Sequence, residues 1–125
     1  MSTRLDTIVA YVEENKSVAD IGTDHGITAM AVYDKKSPTK VLGTDISANS
    51  LQKLVDKIKG TNYKIETRVT DGIYDLEDFA PENIIISGMG GHLICEILER
   101  GEQVAKQASR LILQANNSLS HLRKK

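Results

Sequence analysis

The sequence predicts a doubly wound α/β fold on a parallel sheet of five strands in the order 3-2-1-4-5. Three observations predict it. Short apolar runs alternate along the chain with segments whose apolar residues recur at helical spacing, the pattern of repeated βα units. Two of the runs, Ile84-Ile85-Ile86 and Leu111-Ile112-Leu113, are uninterrupted aliphatic triplets, as expected of inner parallel strands covered by helices on both faces. In a third run Tyr63, Ile65, Thr67 and Val69 alternate with Lys64, Glu66, Arg68 and Thr70, which suits an edge strand with one wetter face.

Taken in order, Leu5, Ile8, Val9 and Val12 fall at i, i+3, i+4 and i+7 and predict a short amphipathic helix. Val18-Ala19-Asp20-Ile21 is the first strand, and Gly22-Thr23-Asp24-His25-Gly26 turns it into a helix beginning at Ile27. Residues 34–40, with Pro38, form a loop before Val41-Leu42-Gly43-Thr44-Asp45, a second strand ending in an acid. Ser47 is the expected N-cap of a helix that carries Leu51, Leu54, Val55 and Ile58 on one face and closes at Gly60. Residues 92–108 read as one helix with Gly101 as its weak point, with Leu93, Ile94, Ile97, Leu98 and Val104 available for the sheet and Cys95 packed in the core. The strands should end near Ile21, Asp45, Val69, Ile86 and Gln114. After Asn116-Asn117 only eight residues remain, room for a helical turn or two. An apolar fifth strand wants a neighbour, so self-association through its edge, or a longer parent protein, is expected to cover it.

Composition sets bounds on function. The 125 residues are 40% hydrophobic and 26% charged, near globular averages. No apolar run approaches the roughly 20 residues of a membrane helix. The first six residues contain no apolar signal region and Cys95 is the only cysteine, so a cytoplasmic protein without disulfides is expected. The net charge of -1 hides an asymmetry: the first 102 residues carry -6 and the last 23 carry +5. A polyanion would therefore approach near the C-terminal end, although a short basic tail explains the same residues. The three histidines and one cysteine are scattered, which argues against a metal site.

Four motifs carry chemistry. In Asp20-Ile21-Gly22-Thr23-Asp24-His25-Gly26 an acid stands in the first strand-to-helix loop, where a dinucleotide fold places glycines against a pyrophosphate. A carboxylate there repels pyrophosphate but tolerates S-adenosylmethionine, which has no phosphate and carries a sulfonium and an ammonium. The same acids would also serve as helix caps. Asp45 sits where an acid accepts both hydroxyls of a ribose, or caps the second helix. Asp71-Gly72 could pair with an adenine amino group, though in isolation the dipeptide reads as a turn. Ser87-Gly88-Met89-Gly90-Gly91 leaves the backbone bare where a flat base and a methyl group would meet.

With these residues in view, residues 18–26 together with Ile86-Ser87-Gly88-Met89-Gly90-Gly91 resemble the bacterial tRNA (adenine(22)-N(1))-methyltransferase family. Leu111-Ile112-Leu113-Gln114 followed by Asn116, Asp45 and Asp71-Gly72 match it too, so the resemblance covers nearly the whole chain. It implies a Rossmann-like methyltransferase core, S-adenosylmethionine as donor and tRNA as acceptor. It places Asp20, Gly22, Thr23, Gly26, Asp45, Ile46, Asp71, Gly72, Gly88 and Met89 at the cofactor. The chain departs from the family at Ile27-Thr28-Ala29, where an aromatic residue, Leu and Pro are usual, and at Ala115, where Pro is usual. The family also continues past Lys125 with more sheet and a helical domain, so residues 1–125 are expected to form its cofactor-binding domain. Asp24 is the candidate to hydrogen-bond the amino group of the reacting adenine, Asn116 to orient the base and His25 to accept a proton. A chain that holds the methyl donor without chemistry, and a small-molecule methyltransferase, are the alternatives.

Overall fold

A computed structural model describes residues 4–24, 26–115 and 121–122. The elements are α1 (Arg4–Tyr11), β1 (Ser17–Ile21), α2 (Ile27–Lys36), β2 (Lys40–Asp45), α3 (Ala48–Ile58), β3 (Ile65–Val69), β4 (Asn83–Met89), α4 (Gly91–Arg100), α5 (Glu102–Gln107), β5 (Arg110–Ala115) and β6 (His121–Leu122). The strands form one sheet in the order β3-β2-β1-β4-β5-β6. The first five run parallel, as expected, and β6 joins antiparallel through Leu113↔Leu122 and Gln114↔His121.

Alternation of side chains along each strand divides the core. Ala19, Ile21, Leu42, Ile84, Ile86 and Leu113 pack with Ile94, Ile97, Val104 and with Ile73, Leu76 and Phe79 of the segment before β4. On the other face Val18, Ile85 and Ile112 meet Ile8, Val9 and Val12 of the N-terminal segment and Val32 of α2. Val41 and Ile65 meet Ala29 and Leu54. Strands covered on both sides need apolar residues at consecutive positions, which is why Ile84-Ile85-Ile86 is an unbroken triplet. By contrast β3 buries only Ile65 and leaves Val69 exposed. Ser47 caps α3 by accepting from the Ser50 amide at 3.2 Å.

Several expectations are corrected. The segment read as one helix over 92–108 is two, α4 and α5, broken at Gly101. A Cβ on Gly101 would lie 2.2 Å from Ile73 Cγ1, so the helix end presses on the preceding loop and a continuous helix with a side chain there has no room. Cys95 and Leu93 are exposed rather than packed, because α4 turns Ile94 and Ile97 toward the sheet. The final eight residues have room for a helical turn or two, but within them β6 instead covers the fifth-strand edge at Leu113 and Gln114. Among the described residues no helix is long and apolar enough to cross a membrane.

At the amino end of the sheet a polar network joins distant parts of the chain. Buried Asn83 accepts from the Glu13 amide at 2.7 Å and donates to Glu13 Oε1 at 2.8 Å, and Ser109 donates to the same oxygen at 2.6 Å. Functional loops lie at the opposite end.

Gly26, at the N-terminus of α2, has φ +78°, and a Cβ there would fall 2.2 Å from Leu54 Cδ1 of α3. Gly60 has nearly the same dihedral, φ +80°, with nothing near it. Gly60→Ala should therefore cost only the left-handed strain, about 1–2 kcal/mol. Gly26→Ala should cost roughly 1–3 kcal/mol more from overpacking. Urea midpoints at unchanged slope measure the difference, and equal shifts for the two variants would contradict the packing account.

Candidate functional site

The crossovers from β1 and from β4 leave toward opposite sides, and a cleft opens at the carboxyl ends of these strands, where such sheets bind ligands. It has a volume of about 790 Å3. Gly22, Thr23 and Asp24 line it after β1, Asp45 and Ile46 after β2, Asp71 and Gly72 after β3, and Ser87, Gly88 and Met89 after β4. Eight of the ten residues expected at the cofactor thus come together from four separate loops.

Asp20 and Gly26 do not line the cleft. Asp20 is 2% exposed and accepts the Thr23 hydroxyl at 2.9 Å, so it stands behind the loop and shapes it. Gly26 makes the close approach of α2 to Leu54 described above. Of the expected catalytic residues, Asp24 is exposed at the cleft, whereas His25 and Asn116 lie outside the described residues.

The loop after β1 is built onto β2. The Thr23 amide donates to the Thr44 carbonyl at 2.7 Å, and the Asp24 amide donates to Asp45 Oδ2 at 3.0 Å. The other oxygen of Asp45, Oδ1, accepts from the Ser47 amide at 2.9 Å. A carboxylate offers about four acceptor sites, so one direction on each oxygen remains for a diol. Asp45 is therefore the tie between two loops, with an acceptor direction on each oxygen left over.

Sequence reasoning missed the wall supplied by α4. Leu93, Glu96, Ile97 and Arg100 all line the cleft, at i, i+3, i+4 and i+7. Of these four, Leu93 and Ile97 were expected to face the sheet, and the polar members Glu96 and Arg100 at the same spacing are the sign that this face borders solvent. Arg100 donates to the Asp71 carbonyl at 2.8 Å and to Asp71 Oδ2 at 3.3 Å, and Tyr74 donates its hydroxyl to Oδ1 at 2.8 Å. These contacts hold the Asp71 carboxyl below its usual range, the Tyr74 hydroxyl most of all, with Arg100 adding to it against an opposing desolvation. Among the described lining residues there are four acids, Asp24, Asp45, Asp71 and Glu96, and one cation, Arg100, already paired. No group of three or more metal-ligating side chains occurs among the described residues.

A parallel sheet with an acidic, glycine-lined cleft at its switch point defines a ligand-binding α/β domain that disfavours phosphates. The methyltransferase-domain family model matches residues 1–125, and the chain belongs to that family. Within it, the chain is 36% identical over 126 residues to the tRNA (adenine(22)-N(1))-methyltransferase of Bacillus subtilis, an alignment covering 98% of this chain and 52% of the relative. The crystal structure of the B. subtilis m1A22 tRNA methyltransferase superposes with a TM-score of 0.81 at 30% identity, over 93% of this chain and 50% of that one. A Streptococcus pneumoniae protein solved in complex with S-adenosyl-L-methionine superposes with a TM-score of 0.81 at 29% identity, over 94% of this chain and 56% of that one. The chain spans about half the length of the curated relatives it matches.

Burial pushes the Asp20 carboxyl up from 3.8 to about 7, with the Asp45 carboxylate adding to the rise and the Thr23 hydroxyl opposing it. The unfolded chain releases this proton near 3.8 and the folded chain near 7. The folded state thus holds more protons within that window, so this residue makes stability fall as pH rises through it. Asp20→Asn, which mimics the protonated form and keeps an acceptor for Thr23, should flatten the decline in melting temperature between pH 5 and pH 8. Parallel declines in the two proteins would show that Asp20 is ionised throughout.

Proposed function

We propose that the chain is the S-adenosylmethionine-binding domain of a tRNA (adenine-N1)-methyltransferase, with adenine 22 as its target and the cytoplasm as its place of work. The observation that carries the reading is the acidic lining of the cleft. A donor bearing a sulfonium and an ammonium is attracted there, and a dinucleotide pyrophosphate is repelled by Asp24 in the first strand-to-helix loop. The relatives named above support the acceptor, and the basic C-terminal residues, +5 over the last 23, give the tRNA a place to approach.

Each part of the donor has residues in the cleft that would take it. Asp45 would take the ribose hydroxyls, Ile46 would cover the adenine, and Asp71-Gly72 would meet its edge. Gly22 and Gly88 would let the backbone approach the methionine portion. The reaction asks little of a base: the adenine N1 lone pair forms the new bond to the methyl carbon as the carbon–sulfur bond breaks, its electrons staying on sulfur to leave a thioether. The positive charge passes from sulfur to the methylated base. Alignment and extraction of the target base from its stack are the main tasks. Asp24, which lines the cleft, would accept a hydrogen bond from the base's amino group, a contact that strengthens as charge develops. His25 and Asn116 keep their assigned roles of proton acceptor and base-orienting group as part of this proposal.

In calorimetry the chain should bind S-adenosylmethionine or its thioether product more tightly than NAD, and Asp45→Ala should weaken that binding. Loss of hydrogen bonds to a charged group costs about 1.5–3 kcal/mol, roughly 10- to 150-fold in affinity. NAD binding as tight as the methyl donor would remove the electrostatic argument. In the full-length protein, Asp24→Ala should lower single-turnover methylation of a tRNA transcript more than tRNA affinity. N1-methyladenine should be absent when adenine 22 of the transcript is replaced, and methylation of both transcripts would refute the assigned position.

A further inference from the structure

Helix α4 starts at the glycine loop after β4 and ends on the turn after β3, so one helix borders both ends of the cleft. Its last residue joins them. Arg100 reaches the Asp71 carbonyl from Nη2 at 2.8 Å and Asp71 Oδ2 from Nη1 at 3.3 Å, while its guanidinium carbon lies 5.4 Å from the centre of the Tyr74 ring. Tyr74 in turn donates to Asp71 Oδ1 at 2.8 Å. Gly72 lies beneath the guanidinium, where a Cβ would stand 3.4 Å from Nη2. The residue after Arg100 is the Gly101 that presses on Ile73, and a Cβ there would also come 3.1 Å from the Tyr74 amide nitrogen. The turn is gripped from side chain and backbone by a single helix end.

Stability does not account for this arrangement. The side chains of Arg100 and Asp71 are 41% and 46% exposed, and ion pairs so open to water contribute little to folding. Their effect is orientation, since each Asp71 oxygen already takes one donor and only the remaining directions are left for a ligand.

We propose that Arg100 is a positioning residue for cofactor selectivity: with Tyr74 it fixes the Asp71 carboxylate so that its remaining lone pairs meet the exocyclic amino group of a 6-aminopurine. This inference rests on the reading of the cleft as an S-adenosylmethionine site. A 6-oxopurine presents carbonyl lone pairs to the same carboxylate and is repelled, so the fixed acid selects by repulsion as well as attraction. Without Arg100 the carboxylate is free to turn away, and the selection relaxes.

The test compares S-adenosylhomocysteine with S-inosylhomocysteine, which differ in the group at purine position 6 and in the proton that N1 of the 6-oxopurine carries, by calorimetric titration of the wild-type chain and of Arg100→Ala, Arg100→Lys and Tyr74→Phe. The wild type should prefer the 6-amino compound by tenfold or more. Arg100→Ala should lose about tenfold in affinity for that compound and little for the 6-oxo one, with a melting temperature close to wild type. Arg100→Lys and Tyr74→Phe, which keep part of the grip, should retain an intermediate preference. If Arg100→Ala weakens both compounds equally, or leaves the preference intact, Arg100 has no positioning role and the cofactor reading stands. If the wild type binds neither compound, the cofactor reading fails and this inference fails with it.

Discussion

The parallel pairing of β1 with β2 on one side and β4 on the other is the constraint on which the rest of the molecule depends. β1 is buried along its whole length, and its neighbours hold it in register from Ser17 to Ile21. Because the two crossovers depart to opposite faces, nothing fills the space beyond Ile21, and the loops after four strands converge on it. The cleft is a consequence of topology; its chemistry is a consequence of which residues end the strands. Asp45 shows how closely the two are joined. Its carboxylate satisfies two loop amides and still faces the cleft, so the group that organises the site is also one that a ligand would touch.

Most of the fold was legible because periodicity reports burial. The aliphatic triplets gave the inner strands, the alternating residues 63–69 gave the edge, and Ser47 gave a helix start that the side-chain cap bears out. What escaped was decided by contacts remote in sequence. The break at Gly101 follows from Ile73, nearly thirty residues earlier, and no local signal states that a helix end will meet that loop. The exposure of Leu93 and Cys95 follows from α4 leaning over a cleft rather than lying flat on the sheet. The loops of the site were legible in the glycines and acids after each strand. The helix wall was not, since Arg100 has meaning only once Asp71 is beside it, and Asp20 looked like a ligand until burial placed it behind Thr23.

Electrostatics gives the site its character. Four carboxylates line the cleft, and Arg100, the one cation among the described lining residues, is engaged with Asp71, so the field there favours positive ligands. All 17 of the chain's acids, the cleft's among them, lie within its first 102 residues, apart from the basic end. A small cationic donor and a large polyanionic acceptor would thus be sorted to different parts of one surface by charge before any shape is read.

The polar network at the amino end of the sheet sets a schedule for synthesis. Glu13 is among the first residues made, yet its hydrogen bond from Ser109 spans 96 positions. At a translation rate of 5–20 residues per second, that partner arrives roughly 5–20 s later. During that interval the first three strands, with the acids at their ends, have been made while the element that seals the other side of β4 has not. A ribosome-bound intermediate of this chain would therefore carry the cleft-lining acids on an open half-sheet, and quality control would meet them before it meets the finished domain.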